Sequence, residues 1–302
     1  MTSDASDDLR RLTTEIRHQA TGEIDLMRAQ DIARVMNSDD ALIARAVEHE
    51  LRNIGLAMDG IVARLRDGGR LLFFGAGSSG RLGVLAASEC SSVFSTSTEI
   101  VVACIAGGMA ALTRTVIDAE DDKGLGRRDA EGVRICQHDA LIAISASGRT
   151  PYTKGAAAFG REQGALTIAL VCNATTPIGA IADITIAPIV GPEVIAGSTG
   201  LKAGTAQKMV LDMLTSGAMI LLGKTYMNLM VDLPSTSAKM RRRAIDIVQQ
   251  TTGLAEEDAA ATLAAAGGEL KTAIVAAILS IDANTARKRL AAVNYVVRNA
   301  IR

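Results

Sequence analysis

The sequence predicts an α/β protein built on a doubly wound parallel sheet of five strands flanked by helices, and three observations predict it. Short apolar runs rich in Leu, Ile, Val and Ala recur along the middle of the chain, as strands buried on both faces require. Helical stretches alternate with them, which is the order of βαβ units. Two of the runs end in serine- and glycine-rich turns that open a helix, and such turns sit where ligands bind in sheets of this kind.

The elements follow in order. Residues 8–67 read as helical, with apolar positions recurring at three- and four-residue intervals through Leu51, Ile54, Leu56, Met58, Ile61, Val62 and Leu65 before Asp67-Gly68-Gly69 stops the pattern. The expected strands are Leu71–Phe74, Ile100–Ile105, Ala140–Ile144, Leu166–Val171 and Ile184–Ala187, with helices around 80–91, 108–118 and 151–164. After Pro192 the chain turns helical, and 203–223 is apolar nearly all round, as a core or subunit-interface helix would be. A break is expected at Asp232–Ser237, followed by three or four short helices, with Ala259–Ala266 a good helix former. The resulting division is an N-terminal helical segment (1–67), a ligand-binding α/β domain (68–237) and a small C-terminal helical domain (238–302).

Composition narrows the function. Thirty-two basic residues against 33 acidic ones leave a formal charge of -1, so neither nucleic acid nor an anionic membrane is an expected partner. The polar, acidic start Met1–Asp8 is unlike a signal peptide, and the apolar stretch Met213–Gly223 is too short to span a bilayer, so a cytoplasmic protein is expected. Cys90, Cys104, Cys136 and Cys172 lack metal-ligand spacing and read as reduced core thiols. With three tyrosines, four phenylalanines and no tryptophan, the chain suits a small charged ligand better than a long neutral polysaccharide.

Three loops carry candidate chemistry. Gly75-Ala76-Gly77-Ser78-Ser79-Gly80-Arg81 lies between a strand and a helix, where glycines allow close backbone approach and hydroxyls and free amides hold an anion. It matches neither the GxGxxG spacing of a dinucleotide loop nor the GK[ST] ending of a Walker A loop. Ser145-Ala146-Ser147-Gly148-Arg149-Thr150-Pro151 repeats the arrangement, with Pro151 fit for the first helical turn and Thr150 or Ser147 for its cap. Two such loops in one sheet point to one phosphate at a topological switch point, bound by Ser78, Ser79, Ser145, Ser147, Gly148 and Thr150. The third loop, Gly197 to Lys208, offers Ser198 and Lys202, the lysine as a phosphate or carboxylate partner or as a solvated side chain.

Two carboxylates stand out. Glu89 lies among largely apolar neighbours in Ala87-Ser88-Glu89-Cys90, so a buried or half-buried carboxyl is expected there. Glu120 lies in Asp118–Asp122, just after the expected 108–118 helix, as either a catalytic group or part of a solvated acidic turn. His18, His49 and His138 share no spacing and read as packing or surface residues.

Together these motifs make the chain resemble the etherases of the sugar isomerase (SIS) superfamily that act on N-acetylmuramic acid 6-phosphate. The resemblance spans nearly the whole length, through Thr14-Glu15, the loop from Gly75 to Leu85, Ala87-Ser88-Glu89-Cys90, Ala119-Glu120-Asp121-Asp122, Ser145 to Tyr152 and Lys202 to Lys208. It implies the SIS fold and removal of the D-lactyl ether in peptidoglycan recycling, giving N-acetylglucosamine 6-phosphate and D-lactate. It also implies a metal- and cofactor-free homodimer with its site near the subunit interface, with Glu89 as proton donor and Glu120 as the second catalytic glutamate. The chain departs from the family pattern at His18, Ala86, Ser91-Ser92 and Gly200-Leu201. Two other readings share the loops: an aldose–ketose isomerase or related lyase on another hexosamine phosphate, and a non-catalytic sugar-phosphate sensor.

Overall fold

The computed structural model describes residues 12–233 and 237–302, so Met1–Asp8 and Pro234–Thr236 of the expected break lie outside the described residues. The chain divides into two compact units, Met1–Ser88 with Thr98–Thr215, and Glu89–Ser97 with Ser216–Arg302.

In the first unit three helices, α1 (Ala29–Asp40), α2 (Ile43–Glu48) and α3 (Leu51–Arg66), precede the sheet. The expected helix does not reach back to residue 12. Residues 12–28 hold only two short 3₁₀ turns, Gln19–Thr21 and Ile24–Leu26. Their polar groups bond to distant loops instead. The Thr13 amide donates to Asn173 Oδ1 (2.9 Å), and the Thr21 hydroxyl donates to the Val194 carbonyl (2.9 Å).

All five strands fall within one residue of their expected limits: β1 (Leu71–Gly75), β2 (Val101–Ile105), β3 (Ala140–Ile144), β4 (Leu166–Leu170) and β5 (Ile184–Ile186). They pair in parallel in the order β2-β1-β3-β4-β5. β1 and β3 are buried at every residue, as their unbroken apolar runs require. The chain reverses direction across the sheet at β1, so the loops after β1 and β3 open side by side at the switch point.

The crossover helices are α4 (Gly77–Phe94), α5 (Lys123–Gly132) and α6 (Pro151–Glu162). Only a 3₁₀ turn, Gly108–Leu112, forms within the expected 108–118 helix. Gly107, Gly108 and Asp118 all take positive φ, which interrupts helical geometry there. The true crossover, α5, begins after the acidic turn, with the Asp122 carboxylate capping it by accepting the Leu125 amide (2.9 Å). Its glycines lower helix propensity, yet packing requires one of them, Gly126, as it requires Gly155 in α6. A Cβ on Gly126 would lie 1.9 Å from the Tyr152 carbonyl oxygen, and one on Gly155 would lie 2.0 Å from that of Lys123.

Asp139 ties the N-terminal ends of β1 and β3 together. Its carboxylate is 1% exposed and accepts the Arg70 amide (2.9 Å), the Arg70 guanidinium (2.7 Å and 3.1 Å) and the Cys136 amide (3.1 Å). Burial pushes this carboxyl up, but the Arg70 and Cys136 hydrogen bonds outweigh it and hold the group below the usual carboxylate range. A depressed folded-state pKa contributes stability that is present above the unfolded value and lost as pH falls through the folded one. Asp139→Ala is therefore expected to cost about 3 kcal/mol at pH 7, the lower end for a buried pair because Arg70 is partly exposed. That gap, read from urea melts, should narrow only below about pH 4; a gap constant down to pH 2 contradicts this account.

In the second unit, a two-stranded hairpin, β6 (Thr225–Tyr226) and β7 (Leu229–Met230), and five helices follow: α8 (Ala238–Thr252), α9 (Glu256–Ala265), α10 (Leu270–Leu279), α11 (Ala283–Ala292) and α12 (Val297–Ala300). That is one or two more helices than expected. Ile247, Val248, Leu263, Leu270, Ile274 and Leu290 are among its core residues. The hairpin has no period-2 pattern long enough to read in the sequence, and Met227 turns it with φ +53°. The helix before it, α7 (Lys202–Leu221), buries Val210, Leu211 and Leu214 in the first unit and exposes Ile220 and Leu221 in the second.

No single helix among the described residues is long and apolar enough to cross a membrane; α9 and α10 pass that test only as a pair bent by 115°, and Leu270 to Ala276 are buried in the core. The expectation of core thiols fails at Cys136, which is exposed. Burial, aided by nearby carboxylates, raises the Cys172 thiol to about 12 and the Cys104 thiol to about 11, so both stay protonated at neutral pH. Among the described residues no group of His, Cys, Asp and Glu is arranged to hold a metal ion.

Candidate active site

At the C-terminal edge of β1 and β3 the first unit contains a cavity of about 690 Å³ whose walls include Ser78, Ser79, Ser145, Ser147, Thr150 and Glu120. The two expected serine loops do converge. Ser145 is 2% exposed and organises its loop, with its hydroxyl 2.8 Å from that of Thr150 and 3.4 Å from that of Ser147, while accepting the Gly148 amide (3.1 Å). A ring of short hydroxyls of this kind can donate hydrogen bonds to an anion with little reorganisation.

Gly148 serves the turn instead of the ligand. It has φ +67°, a Cβ there would meet the Thr176 side chain at 2.4 Å, and its amide is directed at Ser145. The expected capping of α6 by Thr150 or Ser147 differs as well. The Thr150 side chain makes no cap hydrogen bond to α6, and the Ser147 hydroxyl accepts the Arg149 amide (3.3 Å). On the β1 side, the Ser79 hydroxyl meets Gln207 Oε1 at 2.9 Å, and Gln207 is fully buried on α7.

Glu120 reaches the cavity because its backbone is anchored to the neighbouring helix. The Tyr152 amide, in the first turn of α6, donates to the Glu120 carbonyl (3.0 Å). Tyr152 is itself fixed, fully buried with its hydroxyl donating to Asp129 (2.7 Å). Burial first, and then Asp129, push that phenol far above its ordinary value. The Glu120 side chain is exposed to the cavity.

The third loop does not form an anion site at its helix. The N-terminal amides of α7, those of Lys202 and Ala203, donate to the buried Glu193 carboxylate (3.0 Å each), so that helix end is already occupied by a protein anion. Lys202 is buried at 2% exposure, with its ammonium 2.6 Å from Asp39 Oδ2, and it lines no wall of the cavity. Ser198 is also absent from the wall, where its neighbour Thr199 stands.

The chain matches models of the SIS domain over residues 36–172 and 133–217. The N-acetylmuramic acid 6-phosphate etherase of Aliivibrio salmonicida is 43% identical over 97% of this chain and 98% of its own. That of Brucella anthropi is 45% identical over 97% of this chain and 96% of its own. The chain belongs to the N-acetylmuramic acid 6-phosphate etherases. A solved phosphoheptose isomerase from Francisella tularensis, at 18% identity and TM-score 0.49 over 65% of this chain and 100% of its own, is too distant to bear on the reaction.

Within this etherase Glu89 departs from expectation: it lies in the second unit and is exposed, not buried or half-buried. The apolar neighbours in sequence fall on another face of α4, where Ala86 and Cys90 are buried. His18, one of the departures from the etherase pattern, places Nε2 3.2 Å from Asp39 Oδ1. Sequence reasoning missed four cavity residues, Glu15, Asp121, Arg149 and Thr199. Glu15 arrives through the N-terminal segment, which is pinned by Gly197 N to the Thr14 carbonyl (3.2 Å) and by Asn173, whose amide bonds the Ala146 carbonyl (3.1 Å). The Thr14-Glu15 motif was the available signal, but no local pattern says that it folds against the serine loops.

Proposed function

We infer that this chain is a carbon–oxygen lyase that cleaves the D-lactyl ether of N-acetylmuramic acid 6-phosphate in the cytoplasm as part of peptidoglycan recycling, acting as a homodimer. One observation supports it most: Glu120 stands in the same cavity as the hydroxyl ring of Ser145, Ser147 and Thr150, in a chain of this family. In this reading the ring, with Ser78 and Ser79, binds the 6-phosphate. Glu120 removes the proton on sugar carbon 2, acidified by the ring-opened aldehyde, and the bond from carbon 3 to the ether oxygen breaks. Glu89 protonates the departing oxygen, an assignment resting on its Ala-Ser-Glu-Cys motif. Water then adds across the carbon 2–carbon 3 double bond, so the net change consumes one water and yields N-acetylglucosamine 6-phosphate and D-lactate.

Turnover in oxygen-18 water tests the route. Elimination followed by hydration places the label at carbon 3 of the sugar product. Label in the lactate would mean attack at the lactyl carbon, and release of no lactate would remove the assignment altogether.

A further inference from the structure

A second cavity of about 500 Å³ adjoins the first, and Ala76, Gly77, Ser78, Glu120 and Asp121 line both. The serine ring of the β3 loop lines the first cavity and not the second, whereas Arg81 and Arg114 line the second and not the first. We propose that Arg81, assisted by Arg114, binds the carboxylate of the 2-hydroxy acid that the substrate carries at carbon 3.

This role for Arg81 rests on the proposed reaction and on the order of groups along the two cavities. With the 6-phosphate at the hydroxyl ring and Glu120 at carbons 2 and 3, the substituent on carbon 3 points away from the phosphate. It crosses the shared wall into the second cavity. That substituent ends in a carboxylate, which needs a cation when it leaves bulk water.

Arg81 is prepared for this. It lies one turn into α4, and its Nε donates to the carbonyls of Ala111 (3.0 Å) and Leu112 (3.2 Å), the C-terminal end of the 3₁₀ turn after β2. The guanidinium is thereby fixed through one nitrogen, and its two terminal nitrogens remain for a ligand. Among the described residues neither Arg81 nor Arg114 is paired with a carboxylate, although Asp118, Glu120 and Asp121 line the same cavity. Those acidic groups give the site its selectivity for geometry: they repel a loosely held anion, so only a carboxylate delivered to the guanidinium is retained.

The alternative role for Arg81 is structural, as a cap on the 3₁₀ turn, and the test separates the two. kcat/KM is measured for the lactyl ether and for its neutral lactamide counterpart, in wild type, Arg81→Gln, Arg81→Lys and Arg114→Gln. Wild type should prefer the carboxylate by about tenfold or more, the range of a charge-assisted hydrogen bond. Arg81→Gln should bring the ratio close to one, chiefly through KM for the lactyl ether, with Arg81→Lys retaining part of it and Arg114→Gln losing less. Equal losses on both ethers in Arg81→Gln, with the preference intact, would assign Arg81 to the cap alone and overturn the proposal. A wild type inactive on both ethers would instead overturn the etherase reading on which this one rests. Should Arg81→Gln fail to fold, product inhibition of wild type decides. D-lactate inhibiting at about tenfold lower concentration than D-lactamide supports the proposal, and equal inhibition overturns it.

Discussion

Glu120→Gln is expected to lower kcat for D-lactate release by roughly 10²- to 10⁴-fold, the usual contribution of a positioned general base. KM should change little, because the hydroxyls proposed to hold the phosphate bond to one another and not to this carboxylate. The substitution keeps the side-chain volume and removes only the proton acceptor. It should also leave the fold intact, since the Glu120 carbonyl, not its side chain, bonds the Tyr152 amide. Three measurements check it: a lactate assay, exchange of the carbon 2 proton with deuterated water, and a thermal melt. Loss of both lactate release and exchange at an unchanged melting temperature supports the base role. Retained exchange without lactate release would move Glu120 to the departing oxygen and leave proton abstraction to another group, with Glu15 in the same cavity the next candidate.

How much of this was legible beforehand depends on how local the cause is. The five strands were legible because a strand buried on both faces must be an unbroken apolar run, as in Leu71–Phe74 and Ala140–Ile144. The serine loops were legible because their residues bond within the loop, the Ser145 hydroxyl meeting the Gly148 amide and the Thr150 hydroxyl within five positions. Contacts between distant segments were not. The α5 helix, which holds Gly124 and Gly126, is not among the expected helices, because the reason for Gly126 is Tyr152, far along the chain. Arg81 reads in the sequence only as part of a loop, since its anchoring carbonyls lie at Ala111 and Leu112. Apolar neighbours also misplaced Glu89: an apolar neighbourhood in sequence covers every face of a helix, and its own face is exposed.

Lys202 is the sharpest case of that kind, and its removal should produce the largest loss of stability. From the sequence it reads as a phosphate or carboxylate partner or as a solvated side chain; in the fold its ammonium, 3% exposed, meets Asp39, itself 10% exposed, at 2.6 Å. The same carboxylate meets His18 Nε2 through its other oxygen, and His18 Nδ1 is buried with no hydrogen-bond partner. One aspartate thus joins α1, the segment before it and the start of α7. Lys202→Met keeps the length of the side chain and leaves the Asp39 carboxylate buried with only His18 to meet it. Removing one partner of such a pair costs about 3–5 kcal/mol, which for a unit of this size is a fall in melting temperature of roughly 10 °C. Adding Asp39→Asn should return part of that loss, because the uncompensated charge goes with it. Affinity for inorganic phosphate, measured well below the transition, should be the same in wild type and in Lys202→Met. A variant that melts with the wild type yet loses phosphate affinity would return Lys202 to the ligand and show that the pair with Asp39 opens when phosphate binds.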